Sequence, residues 1–460
     1  MPLKLAQIHA RLENLQESLS QSPKAIGEGR LKRVSGLVME VEGLPMSIGG
    51  RACVRSAFSD ALIEAECIGF NGGITYLMAI DSMAGVSPGV PVYSANVPFK
   101  TIDGYTIRSS IEPLAIDDHL LGRIVDGFGR PLDDKGDGKT RPLPYFARSM
   151  NPLLRTPIAQ PMDAGIRSVN AMLTVGRGQR IGIFAGSGVG KSVMLGMLAR
   201  NCQADVIVIA LVGERGREVR EFCEDTLGEQ ALARSVVVAA PADASPLARA
   251  KGAWYASDIA CWFRDQGRHV VLIVDSLTRF AMAQREIGLS LGEAPVSRGY
   301  PPSVFGKMPE LVEKAGNGPN PDGSITAFYT VLLEGDDIND PVADTARGIL
   351  DGHFFLSREL ADAGHYPAVD IEKSISRAMP RVAEEKHLMA ARRFKQLYSR
   401  YMRGRDLLMM GAYVPGSDPD MDVAVKTWPV MQAFLQQHAE EQVDLAESLS
   451  GLYEIMGVPA

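Results

Sequence analysis

The sequence predicts an α/β protein with a largely parallel sheet, preceded by a small antiparallel β domain and followed by a helical one. Between residues 99 and 380, aliphatic runs without polar alternation (RIGIF, DVIVIALV, SVVVAA, HVVLIVD, SITAFYTVLL) alternate with helical stretches. Strands covered by helices on both faces read this way. One of these runs opens into a glycine-rich turn, GSGVGKS, that leads directly into a helical pattern. From residue 31 to 98, by contrast, Gly, Pro, Asn or Asp break the chain roughly every 8 to 12 residues, the spacing of a small antiparallel barrel or sandwich.

The elements follow in order. Within residues 3 to 20, Leu5, Ile8, Leu12, Leu15 and Leu19 recur at alternating intervals of three and four, which makes one apolar stripe on a helix. Pro23, Gly27 and Gly29 end it. Such a stripe either packs on its own protein or docks on a partner. Glu13 and Glu17 balance Lys4 and Arg11, so the basic face of a membrane-surface helix is missing. GLVMEVEG, RACVRS, ALIEAECIGF and GITYLMAI supply the antiparallel β domain. After residue 380 the strand signals stop, and AEEKHLMAARRFKQLYSRYM and the final 40 residues carry helical periodicity. The expected limits are 1–28 for the helix and linker, 29–98 for the β domain, 99–380 for the α/β domain and 381–460 for the helical domain. A chain of 460 residues has room for about three domains.

Composition narrows the function classes. With 46% hydrophobic and 22% charged residues, the chain is neither polar enough for disorder nor apolar enough for a membrane channel. The longest aliphatic run, Val206 to Val212, falls far short of the ~18 residues of a spanning helix, so no integral membrane span is expected. The charged N-terminus lacks the apolar stretch and cleavage site of a secretory signal, and the expected location is the cytoplasm. A net charge of −7 argues against a mainly electrostatic grip on nucleic acid. Cys53, Cys67, Cys202, Cys223 and Cys261 form no CxxC pair and read as buried small hydrophobes in a reducing compartment. The histidines are equally dispersed, so a structural transition metal is not expected.

The segment RIGIFAGSGVGKSVMLGMLAR has the strand, turn and helix succession that makes a phosphate-binding loop credible. Gly186, Gly188 and Gly190 let the backbone curl so that N–H groups of Gly186, Ser187, Gly188, Val189, Gly190, Lys191, Ser192 and Val193 converge on phosphate oxygens at a helix N-terminus. Lys191 would reach the β- and γ-phosphates of ATP, and the Ser192 hydroxyl would bind Mg2+. Ala185 stands where the usual pattern begins with glycine, which requires only that this position need no positive φ.

Ligands of an open α/β sheet sit beyond the carboxyl ends of its strands. After DVIVIALV come Gly213, Glu214, Arg215, Gly216, Arg217 and Glu218; HVVLIV ends on Asp275. Asp275 is placed to hold Mg2+ through water. Glu214, nearest its strand end, is the favoured group to orient or deprotonate an attacking water, with Glu218 one helical turn later as the alternative. Arg215 and Arg279 are candidates for phosphate contacts.

Taken in order, GQRIGIFAGSGVGKS, GERGREV, LIVDSLTRFA and HYPAVDIEKSISR resemble the rotary ATP synthase alpha/beta superfamily. LLGRIVDGFGRPLD extends the resemblance upstream. GYPPSVFGKMPELVEKAGN, LEGDDINDPVADTARGILDGH and GAYVPGSDPDMD look most like its flagellum-specific and type III secretion export ATPases, and IGFNGGITYLMAI leans toward the flagellar branch. The resemblance implies a RecA-like P-loop NTPase core with an N-terminal β-barrel and a C-terminal helical domain, assembled as a homohexamer. It implies Lys191 and Ser192 as the Walker A pair, Asp275 as the Walker B aspartate and Glu214 as the catalytic glutamate. Arg215 and Arg279 match arginines near the γ-phosphate, Tyr366 an aromatic that stacks on adenine, and Arg377 an arginine finger supplied across a subunit interface.

The implied role is a Mg-ATP-hydrolysing motor of flagellar type III export that releases and unfolds chaperone-bound substrates. Its implied partners are a regulator or stator subunit on the N-terminal helix, a central stalk-like component, an export gate membrane protein and chaperone–substrate complexes. Its implied place is the cytoplasm, peripheral to the inner membrane. Injectisome use is the nearest alternative. An ion-translocating ATP synthase catalytic subunit would not need the Leu5 to Leu19 stripe and would carry an acidic DELSEED-type lever that is missing here. An RNA-translocating ring is disfavoured by charge, and a non-catalytic nucleotide-holding scaffold by the presence of Glu214.

Overall fold

The computed structural model describes residues 28–58, 62–94, 100–102, 105–107, 116–136, 150–320, 322–337 and 339–459. The expected N-terminal amphipathic helix lies outside the described residues. Those described fall into two compact units: the first holds the N-terminal strands and Ser290–Gly292, the second everything else from residue 116 on.

In the first unit, β1 (Glu28–Ser35), β2 (Val38–Glu42), β3 (Arg51–Arg55), β4 (Leu62–Asn71), β5 (Ile74–Ala79) and β6 (Pro91–Ser94) close a barrel in the order β1-β2-β5-β4-β3-β6. Of the two architectures the spacing allowed, the chain adopts the barrel. All pairings are antiparallel, and β6 returns to β1. Register shifts at Leu31/Arg33 and Cys67/Gly69 help the strands curl. Leu31, Met39, Val41, Val54, Leu77 and Val92 fill the interior. A short hairpin, Lys100–Ile102 with Tyr105–Ile107, follows and groups with this unit.

The second unit is built on a nine-stranded sheet. Its strands are β7 (Ile124–Asp126), β8 (Arg180–Ala185), β9 (Val206–Val212), β10 (Ser235–Ala240), β11 (His269–Asp275), β12 (Ser324–Leu332), β13 (Gly352–Leu356) and β14 (Ile375–Ser376), in the order β14-β13-β8-β12-β11-β9-β10-β7, with Gly316–Asn317 pairing β12 off this path. The six pairings from β13 to β7 are parallel; β14 and Gly316–Asn317 add antiparallel edges. Burial on both faces explains the unbroken aliphatic runs. Along β9, Ile207, Ile209 and Leu211 pack into one core while Val208, Ala210 and Val212 pack into the other. β13 escaped the aliphatic-run criterion because its GHFFL alternates buried and half-buried positions.

Helices cover both faces: α1 (Arg167–Met172), α2 (Lys191–Asn201), α3 (Gly216–Glu221), α4 (Pro246–Asp265), α5 (Leu277–Ser290) and α6 (Arg358–Asp362). The C-terminal region is helical, with α7 (Glu385–Met409), α8 (Pro419–Leu435) and α9 (Leu445–Met456). Phe394, Leu397, Phe434 and Leu452 from these helices share one core with Leu195 and Leu198 of α2. Buried Gln437 fastens the join. Its Oε1 accepts the Arg167 N–H (2.7 Å), its Nε2 donates to the Gly165 carbonyl (3.0 Å), and its backbone N–H donates to the Tyr366 carbonyl (3.0 Å). Among the described residues no helix is long and apolar enough to cross a membrane. All five cysteines are free and buried.

Candidate functional site

β8 ends at Ala185, fully buried and without the positive φ that would demand glycine, and the chain curls through residues 186–190 into α2. Gly188 and Gly190 take φ of +78° and +88°, a region that penalises every residue with a Cβ. A Cβ on Gly190 would also lie 3.2 Å from the Tyr366 ring. No side chain caps the start of α2, so its first N–H groups stay available to an anion.

The loop floors a cavity of about 650 Å3 whose walls carry Glu214, Arg215, Glu218, Thr278, Arg279, Glu334 and Arg358. At its base Lys191 Nζ donates to Glu214 Oε1 (3.0 Å) and to Asp275 Oδ1 (2.6 Å), and Thr330 Oγ1 donates to the same Asp275 oxygen (2.6 Å). Burial alone would lower the Lys191 pKa, but the Asp275 and Glu214 carboxylates outweigh it and hold the ammonium above its ordinary value. Asp275 is 3% exposed, and desolvation pushes its carboxyl above the usual range against the pull of Lys191. A second, smaller cavity of about 120 Å3 brings Ser192, Glu214, Glu218 and Asp275 together.

Two features fit a phosphate ligand and a magnesium ion. The Arg279 Nε is buried and finds no hydrogen-bond partner among the described residues, an orphan donor that an anionic oxygen in the cavity would satisfy. Ser192, Asp275 and Glu214 offer hard oxygen donors, too few for an all-protein cage and suited to an ion that keeps waters and takes phosphate oxygens.

The other sequence-predicted residues divide. Arg215 reaches the cavity rim, 83% exposed and 3.6 Å from Glu218. Gly213, at φ +72°, turns the chain toward Glu214, and a Cβ there would crowd the Arg279 side chain at 3.0–3.2 Å. Val189 turns its side chain into the core, so only its backbone can serve a ligand, whereas Val193 is exposed. Tyr366 is 43% exposed beside Gly190 and does not line the large cavity.

Arg377 lies at the opposite end of the sheet. Its N–H bonds the Asp351 carbonyl and its Nη2 the Arg347 carbonyl (3.0 and 3.2 Å). Asp351 in turn bonds the N–H of Arg180, which begins β8, five residues or roughly 16 Å before the loop. Sequence reasoning missed Arg358 and Thr330. Arg358 follows β13 almost directly and would have been found by the strand-end rule had that strand been recognised.

The comparisons agree with this architecture. The ATP synthase alpha/beta family, nucleotide-binding domain, matches residues 165–376, and the T3SS EscN ATPase C-terminal domain matches residues 383–454. The chain belongs to the ATP synthase alpha/beta family, within its flagellar and type III secretion export ATPases. The flagellum-specific ATP synthase of Pseudomonas aeruginosa is 52% identical over 459 residues, covering 99% of each chain, and that of Salmonella typhimurium 52% identical over 455 residues, covering 98% of each. Among solved structures, the assembled ATPase EscN of the enteropathogenic E. coli type III secretion system has a TM-score of 0.83 at 40% identity, covering 93% of this chain and 100% of its own. EscN with its central stalk EscO gives 0.81 at 38% identity, again covering 93% of this chain and 100% of its own. The core is thus RecA-like, and the enzyme is an ATPase of type III export in which the flagellar reading is favoured.

Proposed function

We propose that this chain hydrolyses ATP, with Mg2+, in the cavity above the 186–193 loop, as one subunit of a six-membered ring that drives flagellar protein export. The observation that carries the chemistry is the Lys191 ammonium held between Glu214 and Asp275 at the base of that cavity. Loop N–H groups and Lys191 bind the β- and γ-phosphates, so Lys191 exchanges its carboxylate contacts for phosphate oxygens. Ser192 and Asp275 would hold the magnesium ion with their oxygens. When bound, Mg2+ neutralises charge on the phosphate oxygens. Glu214, released from Lys191, accepts a hydrogen bond from a water and takes its proton as the water oxygen bonds Pγ and the bridge to ADP breaks. Arg215 and Arg279 stabilise the γ-phosphate charge, and Tyr366 turns its ring to adenine.

Arg377 acts on a neighbouring subunit's site. Its place at the far end of the sheet supports this, since it is out of reach of its own loop. The assembled form of EscN and its stalk complex support a ring and a stalk-like partner for this chain too. A regulator or stator subunit on residues 1–28, an export gate membrane protein, chaperone–substrate complexes and a position peripheral to the inner membrane complete the proposal. The test is Glu214→Gln, which is expected to bind ATP within a fewfold of wild type while turnover falls roughly 100-fold or more. A variant that keeps a tenth of the activity puts the base elsewhere.

A further inference from the structure

Arg358 has no part in the reaction described above, yet its surroundings give it one. It opens α6 just after β13, the strand that pairs with β8 on the side away from β12. From there its Nη2 donates to the carbonyl oxygen of Ser187, 3.1 Å away, inside the loop. It also lines the same cavity as Lys191, Glu214 and Arg279.

The Ser187 carbonyl and the Gly188 N–H belong to one trans peptide plane and point in opposite directions. A cation held on the carbonyl therefore fixes where that N–H points. Little else does so, because Gly188 sits at φ +78° and a Cβ built on it would meet nothing within 4 Å. The loop apex is not wedged in place by packing. The helix that carries Arg358 is tied down on either side of it: the Leu360 N–H donates to Ser357 Oγ (3.4 Å) at the start of α6, and Arg405 of α7 donates to Glu359 Oε1 (3.3 Å) on the next residue.

We propose that Arg358 is a positioning residue for the nucleotide: by holding the Ser187 carbonyl it sets the Gly188 N–H in its phosphate-binding direction. This rests on the reading of the cavity as a nucleotide site. The effect falls on binding of the phosphates that ADP and ATP share, and spares the chemical step.

The test titrates the full chain with ADP and with ATP in magnesium buffer and measures kcat and KM. Arg358→Ala is expected to raise both dissociation constants and KM by roughly five- to tenfold, with kcat changing less than twofold. Arg358→Lys, which keeps one charged donor, is expected to recover part of the loss. Glu359→Gln takes the charge out of the neighbouring tie to α7 but leaves the loop contact untouched and is expected to bind both nucleotides within twofold of wild type. Unchanged binding in Arg358→Ala, or equal loss in Glu359→Gln, which would mean general loosening of α6, overturns the proposal. Lys191→Ala separates the two levels. If it binds nucleotide as tightly as wild type, the nucleotide reading itself fails; if it binds weakly while Arg358→Ala binds normally, only the role of Arg358 fails.

Discussion

Removing Lys191 from the nucleotide-free protein is predicted to cost stability as well as activity. Lys191 is the cation between Glu214 and a carboxylate, Asp275, that is 3% exposed. Deleting one partner of a buried ion pair costs about 3–5 kcal/mol, because the other charge is left desolvated and unpaired. Thr330 still donates to Asp275, which puts the expected loss in Lys191→Ala near the lower end, ~3 kcal/mol. For a unit of this size that corresponds to a fall in Tm of about 4–5 °C. The sign of its pH dependence follows from the same geometry. Without the lysine, the folded-state pKa of Asp275 rises further above its unfolded value, so the folded variant binds more protons and the deficit shrinks as pH falls. Differential scanning calorimetry without nucleotide at pH 8 and pH 5.5 would read this, with Lys191→Ala/Asp275→Asn as the third sample. The double variant should regain most of the lost Tm at pH 8, since the most deeply buried charge is gone and the remaining Glu214 carboxylate keeps some access to water. An unchanged Tm in Lys191→Ala, or an equal drop at both pH values, would refute the reasoning.

His269 gives a second pH handle. Burial, with Arg177 nearby, pulls its pKa from 6.5 down to about 4, and its Nδ1 lies 2.7 Å from Ser324 Oγ. The unfolded chain binds the extra proton between those values, so stability should decline as pH drops from 6.5 to 4, by up to ~3 kcal/mol; a His269→Gln melting series as steep as wild type would remove His269 as the cause. Gly190→Ala should weaken ATP binding by about 1–2 kcal/mol through its φ of +88° and the crowded Tyr366 ring, and unchanged binding in a titration would show that the loop relaxes at no cost. In a Salmonella strain lacking its own flagellum-specific ATP synthase, this chain should restore swimming in soft agar while the Lys191→Ala form should not. Equal swimming by both would detach the ATPase site from export.

The sequence carried the site well where chemistry and local geometry coincide. Gly188, Gly190, Lys191 and Ser192 lie within one turn, and Glu214 and Asp275 each stand at the end of a fully buried strand, so their convergence followed from the parallel sheet alone. β13 was hidden because alternating burial gives GHFFL no aliphatic run, and with it went Arg358. Thr330 was hidden for the opposite reason: it is a polar residue inside the buried run of β12, and only the register that places β12 beside β11 brings its hydroxyl to Asp275. Arg377 is a third kind of case. Nothing near it in sequence or in one subunit shows what it serves, because its proposed target lies on another copy of the chain.

That sharing between subunits is the central claim, and ATP hydrolysis per chain tests it most directly. Wild type, Arg377→Ala, Glu214→Gln and a mixture of the two variants would be assayed over a wide range of protein concentration. Activity per chain should climb with concentration, and the mixture should recover activity that neither variant has alone, because about one quarter of randomly mixed interfaces pair an intact Glu214 with an intact Arg377. Wild-type activity that is flat with concentration, together with a mixture that stays inactive after the rings have exchanged subunits, would contradict the account and require a catalytic arginine from within the same chain.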